Sequence, residues 1–321
     1  MIRVGFIGCG GVAQEYRQRL LERADRARIV AVCDLDEPRA CAFAEPLGAA
    51  AFTDWSRMLA EAELDAVFDN LPPFARGEEL VAAAGAGCAI FSTKPLGLDL
   101  DTPRRNLAAV EAAGVANSVG YMFRYSAITD ELRRRLDGRP PTLVVGQVYG
   151  AAPGGWVARR AMSGGQIVEQ STHMVDLARL LCGEVSEVFA RGHCGASPGV
   201  DYEDSTAVTL AFANGAVGSI LSTSAVRKFD WRLTVVARDL HLDLVYDAWT
   251  LRGGVDGAPV DLHLPDAPGY QEQIDAFLSA VDTGDPTPIR SSYRDGCATL
   301  AATLAANRAL ASGRVEPVER V

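Results

Sequence analysis

Lysine is almost missing from this chain: of its 31 basic residues, 29 are arginine and two are lysine, Lys94 and Lys228. Positive charge as a whole is in deficit, with 41 acidic residues and a net charge of −10 at pH 7. That balance opposes a nucleic-acid partner, which needs a clustered basic face. The densest basic run, Arg133-Arg134-Arg135, has Glu131 and Asp137 beside it and reads as a solvated helix face. No C-x-x-C pair occurs among the seven cysteines at 9, 33, 41, 88, 182, 194 and 297. An odd, unpaired set excludes a disulfide framework and a zinc knuckle, and fits a reducing compartment. The histidines at 193, 241 and 263 show no ligand spacing, so no metal is expected. Residues 205–226 carry no charge, but Ser, Thr and Asn recur through them and Asn214-Gly215 marks a turn. They read as a two-stranded hairpin, and no membrane contact is expected. No basic leader precedes the first apolar strand, so a cytoplasmic location is expected.

What the chain does have begins at once. The strand Ile2-Arg3-Val4-Gly5-Phe6-Ile7 runs into Gly8-Cys9-Gly10-Gly11-Val12-Ala13, a helical stretch follows, and a second apolar strand ends in Asp34. This is the dinucleotide fingerprint in its expected strand–turn–helix context. Gly8 permits the tight turn, Gly10 and Gly11 let backbone approach a pyrophosphate, and Ala13 allows close packing of helix on strand. The N–H groups of the helix start at Val12 would hold the phosphates. A carboxylate at Asp34 accepts from ribose hydroxyls and repels a 2′-phosphate, favouring NAD over NADP, with Arg39 near enough to temper the preference.

A length of 321 residues reads as two domains. Residues 1–122 alternate strand and helix, the pattern of a doubly wound α/β sheet of the Rossmann type; residues 123–321 are strand-rich and predict an α+β domain on an open, mostly antiparallel sheet. A terminal helix is expected to pack back on the first domain. The uncovered sheet face predicts a homodimer or homotetramer. In doubly wound sheets ligands lie beyond the carboxyl ends of the strands, where Gly8, Asp34, Asn70 and Lys94 all fall.

A chain that uses arginine for solvated charge but places a lysine at a strand end makes Lys94 the first catalytic candidate, because an ammonium's pKa falls on burial, so that it can exchange a proton near neutrality, and a guanidinium cannot. The second constellation is residues 163–176. Two glycines allow close backbone approach, 166–170 is expected to be extended or coiled, and Thr172 is expected to cap a helix with His173 in its first turn. The dipole there favours a neutral, proton-accepting imidazole, and Glu169 can orient the ring or relay the proton. Asn70 and Pro72 are placed to line the nicotinamide half of the cofactor.

With these motifs in this order, followed by Gly120-Tyr121-x-x-Arg124-Tyr125 and His173-x-x-Asp176, the chain resembles the Gfo/Idh/MocA oxidoreductases over nearly its whole length. The resemblance implies NAD(P) and a small-molecule sugar, cyclitol or polyol substrate. It implies that Lys94 contacts the reacting oxygen and that His173 transfers the proton. Glu169 stands where Asp is usual, Thr93 replaces the usual Glu before the lysine, and Gln170-Ser171 replaces an apolar-Gly pair. Arg124, Tyr125, Trp156, Arg159 and Arg160 are candidate substrate contacts. The expected activity is hydride transfer to or from a secondary alcohol or ketone. The alternatives are an NAD-dependent glycosidase of the same fold and a non-enzymatic dinucleotide-binding regulator.

Overall fold

The computed structural model describes residues 1–264 and 268–321, which divide into two compact units, Met1–Tyr121 with Tyr270–Cys297 and Met122–Gly269 with Ala298–Val321. The stretch 270–297, placed by the sequence with residues 123–321, is grouped with residues 1–121. The reason is apolar burial. Helix Tyr270–Thr283 inserts Ile274, Phe277 and Leu278, all fully buried, into the core of the first unit. The last helix, Tyr293–Ser312, runs through the division at Cys297, and its first turn bonds within the first unit, Tyr293 N–H donating to Asn117 Oδ1 at 2.8 Å.

The first unit holds six parallel strands, β1 (Ile2–Ile7), β2 (Ala27–Cys33), β3 (Ala50–Phe52), β4 (Ala66–Asp69), β5 (Ala89–Ser92) and β6 (Asn117–Val119). Their order is β3-β2-β1-β4-β5-β6, so the winding reverses between β1 and β4. Such a reversal opens the ligand crevice of doubly wound sheets. Phe68 on β4 stacks between Phe6 and Phe91 at 5.1 and 4.6 Å, and Phe277 meets both Phe68 and Phe91 edge-on at 5.6 and 5.4 Å. Offset and edge contacts at these distances add to the area each ring buries. β3, only three residues long and largely exposed, carries too little alternation to be seen in the sequence. After β4 the chain forms a short turn, Pro73–Ala75, and then the helix Glu79–Gly85. Arg76 lies between them.

The second unit is built on nine strands: β7 (Leu143–Tyr149), β8 (Val185–His193), β9 (Ser205–Phe212), β10 (Val217–Thr223), β11 (Asp230–Ala237), β12 (Leu240–Val245), β13 (Thr250–Val255), β14 (Ala258–His263) and β15 (Glu316–Pro317). The order is β14-β13-β12-β11-β7-β10-β9-β8-β15, and every pairing is antiparallel except β7 with β10. The charge-free stretch is the β9–β10 hairpin, with Gly215 at φ +90° in its turn. The β13–β14 hairpin escaped the sequence pattern because Gly253, Gly254 and Pro259 dilute it. Alternation gives the sheet two unlike faces. Val144, Val148, Val208, Leu210, Ile220, Leu233 and Val235 are buried on one, where helix Thr172–Cys182 approaches so closely that a Cβ on Gly146 would lie 3.0 Å from Met174. On the other, Val145, Gln147, Ala207, Ser219, Leu221 and Thr234 remain partly or wholly exposed.

Candidate active site

In the first unit the dinucleotide turn has the backbone its sequence demands. Gly8 sits at φ +87°, and a Cβ there would lie 3.1 Å from the carbonyl carbon and oxygen of Asn70, so only glycine fits. Gly10 precedes the helix Gly11–Leu21, and a Cβ on Gly10 or Gly11 would meet nothing within 4 Å. The space beside both is open for a ligand, and Ala13 is buried against the strand as expected. Asp34 follows β2 with its carboxylate oriented by the Cys9 N–H at 2.9 Å and by Arg39 at 3.2 Å. The Asp36 N–H donates to the same carboxylate at 3.0 Å, so a ribose hydroxyl would share or displace these donors. Arg39 is therefore the ion-pair partner of Asp34. Burial pushes the Cys9 thiol up to about 12 and the Cys33 thiol to about 11, which leaves both inert. Asn70 is buried, and its Oδ1 finds no partner among the described residues. An acceptor stranded beside the turn fits a donor group of a bound dinucleotide. Pro72 is partly exposed next to it, and Val12 is exposed on the first helical turn.

Lys94 is partly buried at the carboxyl edge of the same sheet, two residues beyond β5. Under it lies a polar cluster the sequence did not disclose. The Arg76 guanidinium, with no exposed side-chain surface, pairs with Asp69. It also donates to Ser92 Oγ at 2.7 Å, Thr93 O at 2.6 Å and Thr93 Oγ1 at 2.9 Å. Burial raises the Asp69 carboxyl against the opposing pull of Arg76, and burial followed by the nearby Asp69 charge raises Glu79. A carboxylate closing the apolar strand Ala66–Asp69 was the signal available for this cluster.

The second unit carries His173, buried near the start of helix Thr172–Cys182. The expected extended stretch before it is instead a π-helical turn, Ile167–Ser171, and Thr172 is the first residue of the helix rather than the one that precedes it. The helical run thus starts near Gln166, which moves its dipole end away from His173 and puts Glu169 in the first turn, where an acid is favoured. The wide turn is a feature frequent at functional sites. The imidazole lies 5.5 Å from the Phe123 ring and 5.6 Å from Trp231, and these two lie 5.4 Å apart. The Trp231 Nε1, Ser171 Oγ and Gln166 Oε1 atoms are buried with no partner among the described residues. Trp231 was missed by sequence reasoning, although it extends the buried alternation of Leu233 and Val235 on β11. Glu169 is partly exposed, and its charge, after burial, helps push the Tyr202 phenol up to about 12. Tyr202 therefore stays protonated and donates to Val157 O at 3.0 Å.

The substrate-contact candidates separate. Arg124 is buried and holds Asp176 through two 2.7 Å hydrogen bonds; Thr299 donates to the same carboxylate at 2.9 Å. It anchors the core of this unit. Tyr125 is buried beside it. Trp156 is half-buried and Arg159 exposed, donating to Gly199 O, while Arg160 lies 5.9 Å over the Tyr202 ring and pairs with Glu203. Trp156, Arg160, Tyr202 and Glu169 thus share one neighbourhood, and Lys228, 87% exposed beside Asp247, stands outside it. Among the described residues no three His, Cys, Asp or Glu side chains gather as metal ligands, and no helix is long and apolar enough to cross a membrane.

Two family models account for most of the chain. Residues 2–121 match GFO_IDH_MocA, the oxidoreductase family with an NAD-binding Rossmann fold, and residues 138–239 match the GFO/IDH/MocA C-terminal domain. The chain belongs to the Gfo/Idh/MocA oxidoreductases. It is 28% identical to myo-inositol 2-dehydrogenase of Thermotoga maritima, covering 100% of this chain and 99% of that one. Among solved structures it resembles the WlbA dehydrogenase of Bordetella pertussis in complex with NADH and UDP-GlcNAcA, at TM-score 0.85 and 24% identity, over 100% and 99% of the two chains. It also resembles levoglucosan dehydrogenase in complex with NADH and levoglucosan, at TM-score 0.88 and 19% identity, over 100% of both chains. The first unit of this family member is an NAD-binding Rossmann domain, and the open-ended glycine turn with its stranded Asn70 oxygen suits that cofactor.

Proposed function

We propose that this Gfo/Idh/MocA enzyme interconverts a secondary alcohol and a ketone on a sugar, cyclitol or related polyol, with NAD as the redox partner. The observation that carries the reading is the placement of Lys94: β1, which feeds the glycine turn, and β5, which feeds Lys94, flank β4 in one sheet and present both at its carboxyl edge. The nicotinamide, when bound, supplies or accepts the hydride. Gly8 makes the turn, Gly10 and Gly11 leave room for its phosphates, Asp34 takes the ribose, and Asn70 with Pro72 lines the nicotinamide half. Lys94 donates to the reacting oxygen. His173 takes the hydroxyl proton in the oxidising direction and returns it in reduction, with Glu169 orienting the ring or relaying that proton. The Phe123 and Trp231 rings around His173 offer apolar faces to the C–H groups of a polyol, and Trp156 and Arg159 supply the outer contacts. The names of the relatives, an inositol dehydrogenase, a levoglucosan dehydrogenase and a dehydrogenase crystallised with a sugar nucleotide, support this substrate class.

The proposal extends to a cytoplasmic homo-oligomer joined through the uncovered face of the nine-stranded sheet. Support comes from seven free thiols, which suit a reducing compartment, and from Val145, Leu221 and half-exposed Val217 on that face. The test of function is absorbance at the reduced-nicotinamide band with myo-inositol, scyllo-inositol, glucose, xylose and levoglucosan, each with NAD and NADP. Accumulation of NADH with at least one polyol is expected. Absence of turnover across the panel contradicts the reading, and cleavage of a glycoside without NADH accumulation would replace it with the glycosidase.

A further inference from the structure

We propose that Asp69 and Arg76 are positioning residues for Lys94, doing from the neighbouring strand what a glutamate at position 93 would otherwise do. The inference rests on the reading of Lys94 as the residue that meets the reacting oxygen. Thr93 stands where the family resemblance leads one to expect a carboxylate. The structure supplies that carboxylate from the end of β4 as Asp69, and Arg76 bridges it to Thr93.

The arrangement is costly unless it fixes something. A guanidinium with no exposed surface carries a large desolvation penalty, and an apolar side chain could close the edge without it. Arg76 instead directs its donors at two adjacent strand ends: Asp69 and Ser92 from one terminal nitrogen, the carbonyl and hydroxyl of Thr93 from the other. The Thr93 N–H donates in turn to Asp69 O at 2.9 Å, and Gly120 N–H to Ser92 O at 2.9 Å. The peptide from which Lys94 departs is thereby held on both sides. Lysine has four rotatable bonds in its stem, so a fixed origin decides how narrowly its ammonium is delivered. Displacements near 1 Å at such a group are worth about a hundredfold in rate. Glu79 and Tyr293, the other titratable groups that feel the charges of this cluster, are buried as well.

The test uses the full chain and the four variants Arg76→Lys, Thr93→Val, Asp69→Asn and Asp69→Asn/Thr93→Glu. Because the chain has only two lysines, reductive ¹³C-methylation gives one resonance each for Lys94, exposed Lys228 and the α-amino group, with one more in Arg76→Lys that is told apart by its absence from the wild type; all are readable without any substrate. Arg76→Lys and Asp69→Asn are expected to move the Lys94 signal toward that of Lys228. They are expected to lower kcat about a hundredfold, with the polyol KM and NADH affinity within about threefold of wild type. The near-isosteric Thr93→Val should lower kcat about tenfold, and Asp69→Asn/Thr93→Glu should recover at least tenfold over Asp69→Asn. An unmoved Lys94 resonance with kcat within threefold of wild type in folded Arg76→Lys or Thr93→Val overturns the proposal. So does loss of thermal stability and NADH binding in step with kcat and unrelieved by the double variant, which marks a structural staple. Failure of the functional reading is separate: it would show as undiminished turnover in Lys94→Ala, while the methyl resonance still reports on positioning.

Discussion

At the scale of single residues, charge is placed where burial makes it consequential. Arg124 and Asp176 are both buried in a two-point ion pair, so the arginine that sequence order nominated as a substrate contact is bound to its own core. Removing one partner strands the other. Arg124→Met is expected to lower unfolding stability by about 3–5 kcal/mol, whereas Arg124→Met/Asp176→Leu, which removes both charges, should recover most of it. Urea unfolding of the two variants decides; equal losses would contradict the pairing. Glu79 offers a pH signature. Burial and the Asp69 charge raise its carboxyl, so the folded chain keeps that proton to higher pH than the unfolded one. Its stabilising contribution is complete below the ordinary glutamate value of about 4.3 and is lost as pH climbs through the raised value. The urea midpoint should therefore fall more steeply with rising pH in the wild type than in Glu79→Gln; parallel curves would refute the assignment.

At the scale of elements, the strand–turn–helix at the N-terminus separates what folding requires from what the ligand requires. Gly8 is needed by the chain itself, since its φ of +87° and the 3.1 Å approach to Asn70 exclude a side chain. Gly10 faces open space. Gly8→Ala is expected to lose about 1–3 kcal/mol of stability, and Gly10→Ala under about 1 kcal/mol, yet both should weaken NADH binding. Thermal unfolding beside NADH fluorescence titration measures the split, and unimpaired NADH binding by Gly10→Ala would contradict the cradle. This element was legible in the sequence because glycine is the cause of its geometry. So were β1, β4 and β5, whose continuous apolar runs announce burial on both faces, and the β9–β10 hairpin with its Asn-Gly turn. The β13–β14 hairpin and the π-helical turn were not. Glycine and proline blur the former, and the latter depends on how helix Thr172–Cys182 settles through Met174 on Gly146, a tertiary matter that local spacing does not encode. The Asp69–Arg76–Thr93 cluster was hidden for the same reason: its members are distant in sequence and meet only through the register of β4 with β5.

At the scale of the whole chain, the proposed function gives a proton-handling role to Lys94, which lies in the first unit, and to His173, which lies in the second. The nine-stranded sheet of the second unit leaves one face to be covered. Val145→Glu/Leu221→Glu on that face is expected to reduce the mass in light scattering from a dimer or tetramer to the 34.1 kDa of one chain, without loss of the folded circular-dichroism signal. An unchanged mass would place the interface elsewhere. The central claim is tested most directly by the rate of NADH appearance with the preferred polyol in wild type, Lys94→Ala and His173→Ala, measured alongside NADH affinity. The account predicts a rate lower by about 10²–10⁴-fold in each variant, with NADH affinity within threefold of wild type. A wild-type rate in either variant would contradict it.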